Sequence, residues 1–154
     1  MNRLYPVGIQ NFEKIRKNGY IYVDKTALLY QLVKTGQYYF LSRPRRFGKS
    51  LTISTLEAYF TGKRELFKGL DMEQLEKDWT VHPVLHMDLN TEKYDTEESL
   101  EHKLELTLKQ WEEEYGSNPD EYSVATRFEG VIRRAALKTG CNVVILIDEY
   151  DKPI

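Results

Sequence analysis

Gly48-Lys49-Ser50 stands between an apolar aromatic run, Tyr38-Tyr39-Phe40-Leu41, and an amphipathic stretch that begins at Lys49. A strand, a tight loop and a helix start in that order are the setting in which backbone N–H groups hold a phosphate. Gly48 would let the backbone approach the phosphate closely. Lys49 would reach the outer phosphates as a point charge, and Ser50 would offer its hydroxyl to Mg²⁺. Arg43 occupies the place where the general phosphate-loop pattern has glycine, and Pro44, Arg45, Arg46 and Phe47 complete the loop. Arg45, Arg46, Phe47, Gly48, Lys49, Ser50 and Leu51 are the candidate nucleotide contacts. The plainer alternative is a glycine-containing helix start with a surface lysine.

A second constellation closes the chain's last strand. Val143-Val144-Ile145-Leu146-Ile147 is followed by Asp148-Glu149. An aliphatic strand ending in Asp-Glu is the pattern in which the Asp holds Mg²⁺ and the Glu polarises the attacking water. Ser50 and Asp148 are thus the candidate metal residues, and Glu149 and Lys49 the candidate catalytic ones. The alternative is a buried strand ending in an acidic turn. The two halves in this order, each in its proper context, point to nucleotide binding. Hydrolysis asks for more, because such sheets normally place a later strand, whose polar tip senses the γ-phosphate, between the two. Asp151 is a further carboxylate nearby, or a turn residue.

The elements that must position these residues alternate between strand and helix patterns, which predicts an α/β class with a mostly parallel sheet flanked by helices. Residues 20–23 read as a short strand, and Thr26 as the cap of a helix over 27–34. A helix over 49–61 follows the phosphate loop, and residues 84–88 read as a strand entered through Pro83. Leu100, Leu104, Leu108, Trp111 and Tyr115 form one helical stripe, and Val124, Phe128, Val131, Ile132 and Ala135 another. Residues 143–147, dense in β-branched side chains, suit a central strand covered on both faces. The carboxyl ends of such strands are where ligands of open α/β sheets bind.

Composition bounds the alternatives. The chain has 154 residues, 41% hydrophobic and 30% charged, and a net charge of −2. That is globular, and too near neutral for a polybasic nucleic-acid binder. A single cysteine, Cys141, excludes an internal disulfide. No apolar run approaches the ~20 residues of a membrane span, and the start lacks a signal-peptide pattern. A soluble, cytoplasmic protein is expected.

The segments 43–51 and 147–154 resemble the phosphate loop and the acidic strand end of the AAA-ATPase-like family of bacterial proteins. Tyr22-Val23-Asp24-Lys25-Thr26 and Phe67-Lys68-Gly69-Leu70 also match its pattern. Arginine at position 43 agrees with that family. The resemblance implies a P-loop NTPase-type domain using ATP and Mg²⁺, here the N-terminal portion only, often followed by a nuclease-like domain of the PD-(D/E)XK type that would bring DNA as a partner. It also implies homo-oligomers. The expected organisation is an N-terminal extension over 1–37 and a partial ATPase domain over 38–154, cut after the acidic strand, so that the sheet has a gap, a rearranged order or a donated strand.

Other residues carry weaker signals. His82 and His86 have metal-ligand spacing for a helix, but on a strand they would lie ~13 Å apart. The run Glu112-Glu113-Glu114 reads as a solvated face, and Asp88 as a strand-end residue facing the phosphate-loop edge or a turn. The leading function is MgATP binding with hydrolysis. The alternatives are a nucleotide-dependent switch regulating an attached nuclease, and a P-loop phosphotransferase, disfavoured because Asp-Glu suits water activation.

Overall fold

The computed structural model describes residues 4–6, 9, 11–35, 49–88 and 97–148, with side chains from Leu51 onward in the segment that opens at Lys49. It forms two compact units, Met1–Val81 and His82–Ile154. The chain is a mixed α/β protein.

The first unit is helical among its described residues. Helix α1 spans Phe12–Lys17, and Asn11 caps it by accepting from the Lys14 N–H. Helix α2 spans Thr26–Thr35, α3 Lys49–Phe60 and α4 Asp71–Leu75, with a 3₁₀ turn at Arg64–Phe67 before α4. Residues 20–23, expected as a strand, join no ladder among the described residues. Their backbone is tied locally instead: Tyr20 N–H reaches Ile15 O at 3.1 Å, and Ile21 N–H reaches Leu4 O at 2.9 Å. Tyr22 spends its ring on Phe12, edge to face at 5.2 Å. β-Propensity alone does not supply a partner strand.

The α2 cap also differs from expectation. Lys25 O accepts the first helical bonds, from Leu28 and Leu29 N–H. Asp24 Oδ1 accepts the Thr26 N–H at 2.9 Å and the Thr26 hydroxyl at 2.6 Å. Thr26 is the first helical residue rather than the cap. Burial works to raise the Asp24 carboxyl, but these bonds, the Asp71 N–H and Arg16 outweigh it and hold it below its ordinary range.

The core of this unit is a cluster of Phe12, Tyr59, Leu66, Phe67, Leu70 and Met72 around Ala58. Helix α3 reaches it and then stops at Gly62, whose φ is +73°. Lys63 N–H bonds Ala58 O at 3.0 Å and Gly62 N–H bonds Tyr59 O at 3.1 Å. This is a Schellman ending, which wants glycine at that position. A Cβ there would lie 2.8 Å from Val81 Cγ2 and 3.1 Å from Trp79 O. Gly62→Ala is therefore expected to destabilise the protein by about 2–3 kcal/mol, from left-handed strain plus the contact. Urea unfolding followed by tryptophan fluorescence reads this; a midpoint equal to the parent's would contradict it.

The second unit runs β1 (Val84–Asp88), α5 (Glu97–Tyr115), α6 (Val124–Thr139) and β2 (Val144–Asp148). The strands pair in parallel, Val84 opposite Val144 through Asp88 opposite Asp148. Leu85, Met87, Leu108, Trp111 and Val131 make its core, with Leu100, Leu104, Tyr115, Val124, Phe128 and Ile132 packed around it. Both helical stripes expected from the sequence meet there. Ser123 and Thr126 form a capping box at the start of α6, and Gly140 closes it in the left-handed conformation.

Two sequence expectations change here. Among the described residues, strand β2 is not covered on both faces. Ile145 and Ile147, register partners of the buried Leu85 and Met87, are 38% and 40% exposed. The helical layer covers the face of β1 and does not extend across β2. Glu112 likewise leaves the solvated run. It pairs with Arg127 at 2.5 Å and joins α5 to α6, while Glu113 and Glu114 are exposed.

Candidate functional site

Helix α3 opens at Lys49-Ser50, the residues read from sequence as the phosphate-loop lysine and metal-binding serine. Its first turn carries no acidic side chain. The free N–H groups and positive dipole end of a helix start are then not neutralised by the chain's own carboxylates in that turn, a condition that favours an anion. Leu51 is half-buried and packs against the core of the first unit. Its carbonyl accepts the Thr55 hydroxyl at 2.7 Å and the Ser54 hydroxyl at 3.0 Å. Ser54 Oγ in turn accepts the Phe12 N–H at 2.9 Å, fastening α1 to α3. Arg43, Arg45, Arg46, Phe47 and Gly48 lie outside the described residues, as do the expected strand over 38–41, Glu149 and Asp151.

In the second unit, the parallel register sets Asp88 beside Asp148 at the carboxyl ends of β1 and β2. Paired residues of adjacent parallel strands project to the same face, ~4.8 Å apart along the hydrogen-bonding direction. The sequence alone placed each at a strand end; the register makes them neighbours. Asp148 is only 6% exposed, and its Oδ1 is buried with no hydrogen-bond partner among the described residues. A buried carboxylate oxygen without a donor is costly. Mg²⁺ takes hard oxygen donors, often through one or two protein carboxylates with phosphates and water completing the shell. Asp148 fits such a role. The described residues hold no group of three or more His, Cys, Asp or Glu able to bind a metal.

His82 and His86 serve the strand entry instead of a helix face. His86 lies within β1, and His82 Nδ1 is 3.0 Å from Asn142 O, across from the start of β2. Sequence reasoning missed Asp24 and Glu76, which the tertiary structure makes prominent. Asp24 was visible as a helix-start carboxylate two residues before Thr26. Glu76 carried no local signal.

A strand-end carboxylate in one unit and a helix opening at Lys49-Ser50 in the other are each features expected of a nucleotide-binding α/β protein. The chain belongs to the family described as "Predicted AAA-ATPase", which matches residues 6–154. It is similar to an "Uncharacterized protein in vnfD 5'region" from Azotobacter chroococcum mcd 1, with 44% identity over 151 residues, covering 97% of this chain and 29% of that relative. The chain thus spans under a third of that relative's length. No solved structure matches it.

Proposed function

We propose that this chain is the MgATP-binding part of an ATPase that hydrolyses the nucleotide in the intact protein. The observation that carries the reading is the buried Asp148, whose Oδ1 lacks a partner among the described residues at the end of a parallel strand. Membership in the predicted AAA-ATPase family and a helix opening at Lys49 support it.

On this reading Lys49 and the backbone around Gly48 bind the β- and γ-phosphates. Arg45, Arg46, Phe47 and Leu51 complete the loop's contacts. Ser50 and Asp148 would hold Mg²⁺, which when bound neutralises charge developing on the phosphate oxygens. Glu149, the next residue along the chain after Asp148, accepts the proton of the attacking water. The ATPase part serves a longer cytoplasmic protein that works as a homo-oligomer, with an attached nuclease-like domain acting on DNA. None of the described helices is long and apolar enough to cross a membrane.

The test is MgATP binding and phosphate release by the full-length protein. Lys49→Ala should weaken nucleotide binding by roughly 10–100-fold, since it removes a charged phosphate contact. Glu149→Gln should lower turnover by about 100-fold while affinity stays within a few-fold of the parent. Tight binding without turnover in the parent would favour a nucleotide switch, and a phosphorylated acceptor would favour a phosphotransferase. A full-length parent that binds no nucleotide would refute the proposal.

A further inference from the structure

Helices α2 and α3 stand immediately before and after residues 36–48, the segment that contains the phosphate-loop reading. Both are tied to one short element, α4 and the residue that ends it. At the start of α2, Asp24 Oδ2 accepts the Asp71 N–H at 2.9 Å, and Thr26 Oγ1 accepts the Met72 N–H at 3.0 Å. At the far end of α2, Lys34 Nζ lies 3.2 Å from Glu76 Oε2. From α3, the Tyr59 hydroxyl donates to that same oxygen.

Glu76 is 5% exposed, yet every lone pair it needs is used. Its Oε1 accepts the backbone N–H groups of Lys77 and Asp78 at 3.1 and 3.2 Å. Its Oε2 takes the tyrosine and the lysine. A buried carboxylate is tolerated when it is paired and hydrogen-bonded in this way. Burial alone would raise the Glu76 carboxyl, but the bonds from Tyr59, the Asp78 N–H and Lys34 outweigh it and hold it below its ordinary range. The Tyr59 phenol is pushed up, by burial first and then by the carboxylate. The group is thus an anion holding a neutral phenol and a cation.

An apolar residue of similar size could fill this space, and a buried ion pair is weak evidence of stabilisation. What the carboxylate adds is directional. It fixes the end of α2 and the last turn of α3 to a single point, and two helices held that way cannot slide independently. We propose that Glu76 is a positioning residue: one buried carboxylate that ties α2, the helix before the phosphate-loop segment, to the last turn of α3, the helix after it, and so holds the two helices in a fixed relation. The proposal rests on the nucleotide-binding reading of that segment. It assigns roles to Asp24 and Thr26 as well, which fasten the other end of α2.

Two measurements on the full-length protein test it. The first is nucleotide-independent: spin labels on α2 at Gln31 and on α3 at Glu57, in a background with Cys141 and every other native cysteine of the full-length protein replaced by serine, give an interhelix distance distribution. It should be narrow in the parent and broadened in Glu76→Gln. The second is MgATP affinity. Tyr59→Phe keeps the ring and loses only the hydroxyl, so it should weaken affinity about 3–10-fold and lower the melting temperature by a few degrees while the protein stays folded, because Glu76 loses one donor. Lys34→Met should do likewise. The double variant should be weaker than the parent by clearly less than the product of the single effects, because both act through one carboxylate. Additive effects, affinities within twofold of the parent, or an unchanged distance distribution in Glu76→Gln would each overturn the proposal. A parent that binds no MgATP refutes the nucleotide reading and with it the role of Glu76 in positioning the loop, whereas the distance distribution still decides whether the brace between the helices exists.

Discussion

Asp148→Asn in the intact protein should lower Mg²⁺-dependent turnover by about 1,000-fold and at the same time raise the stability of the metal-free protein by about 1–2 kcal/mol. The opposite signs come from one fact. Asp148 is 6% exposed and its Oδ1 has no partner among the described residues, while Asp88 stands beside it in register. A buried carboxylate oxygen without a donor loses its hydration and gains no hydrogen bond in return. A second carboxylate on the adjacent strand adds repulsion. Asparagine keeps the shape, removes the charge and can donate a hydrogen bond, so the metal-free fold should improve. The same substitution takes away the anionic oxygen that a divalent cation needs, so the nucleotide complex should bind Mg²⁺ poorly. Calorimetric melting without metal, paired with a Mg²⁺ titration of phosphate release, reads both arms. A destabilised variant that keeps its metal dependence would show that Asp148 is an ordinary structural carboxylate. Sites that trade stability for chemistry behave in the expected way.

Phe67→Ala should cost about 3–5 kcal/mol, the largest loss of stability we expect from one side chain here. Phe67 is fully buried, its ring 4.8 Å from Phe12 and 5.1 Å from Trp79. Phe12 in turn packs on Tyr22, and Trp79 on Tyr59, so the ring joins two aromatic pairs into one stack. Removing it leaves a cavity that stiff aromatic neighbours close only in part, and it removes aromatic pairings beyond the area buried. Because small domains have only ~5–15 kcal/mol in hand, the variant should sit close to unfolding. Phe67→Leu keeps most of the volume and should cost less than about 1.5 kcal/mol. Denaturant midpoints at unchanged m-value decide the matter. An alanine variant within ~1 kcal/mol of the parent would mean that the stack collapses freely around the gap.

These two positions show how unevenly the molecule could be read in advance. Asp148 was legible because a run of aliphatics ending in an acidic pair is a local pattern with a chemical reason. Phe67 was not, because it sits in a four-residue 3₁₀ turn, Arg64–Phe67, too short to show any period. Helices α1 and α4, of six and five residues, escaped for the same cause. Helices α5 and α6, of 19 and 16 residues, were long enough for their stripes to stand out. Residues 20–23 misled in the other direction: their β-propensity is real, but among the described residues they pair with no strand.

The sequence by itself determined the α/β class, the long helices with the faces they bury, both strands of the parallel pair and the candidate groups for phosphate and metal. All of these follow from periodicity and residue type within a short window. Only the tertiary structure decided that Asp88 lies beside Asp148, that Asp24 and Thr26 clasp the start of α4, and that Glu76 gathers Lys34 and Tyr59 onto one oxygen. Each of these depends on which distant segments close on one another. Register and burial create that information, since a carboxylate's partners, unlike its helix or strand, are not written in its neighbours along the chain.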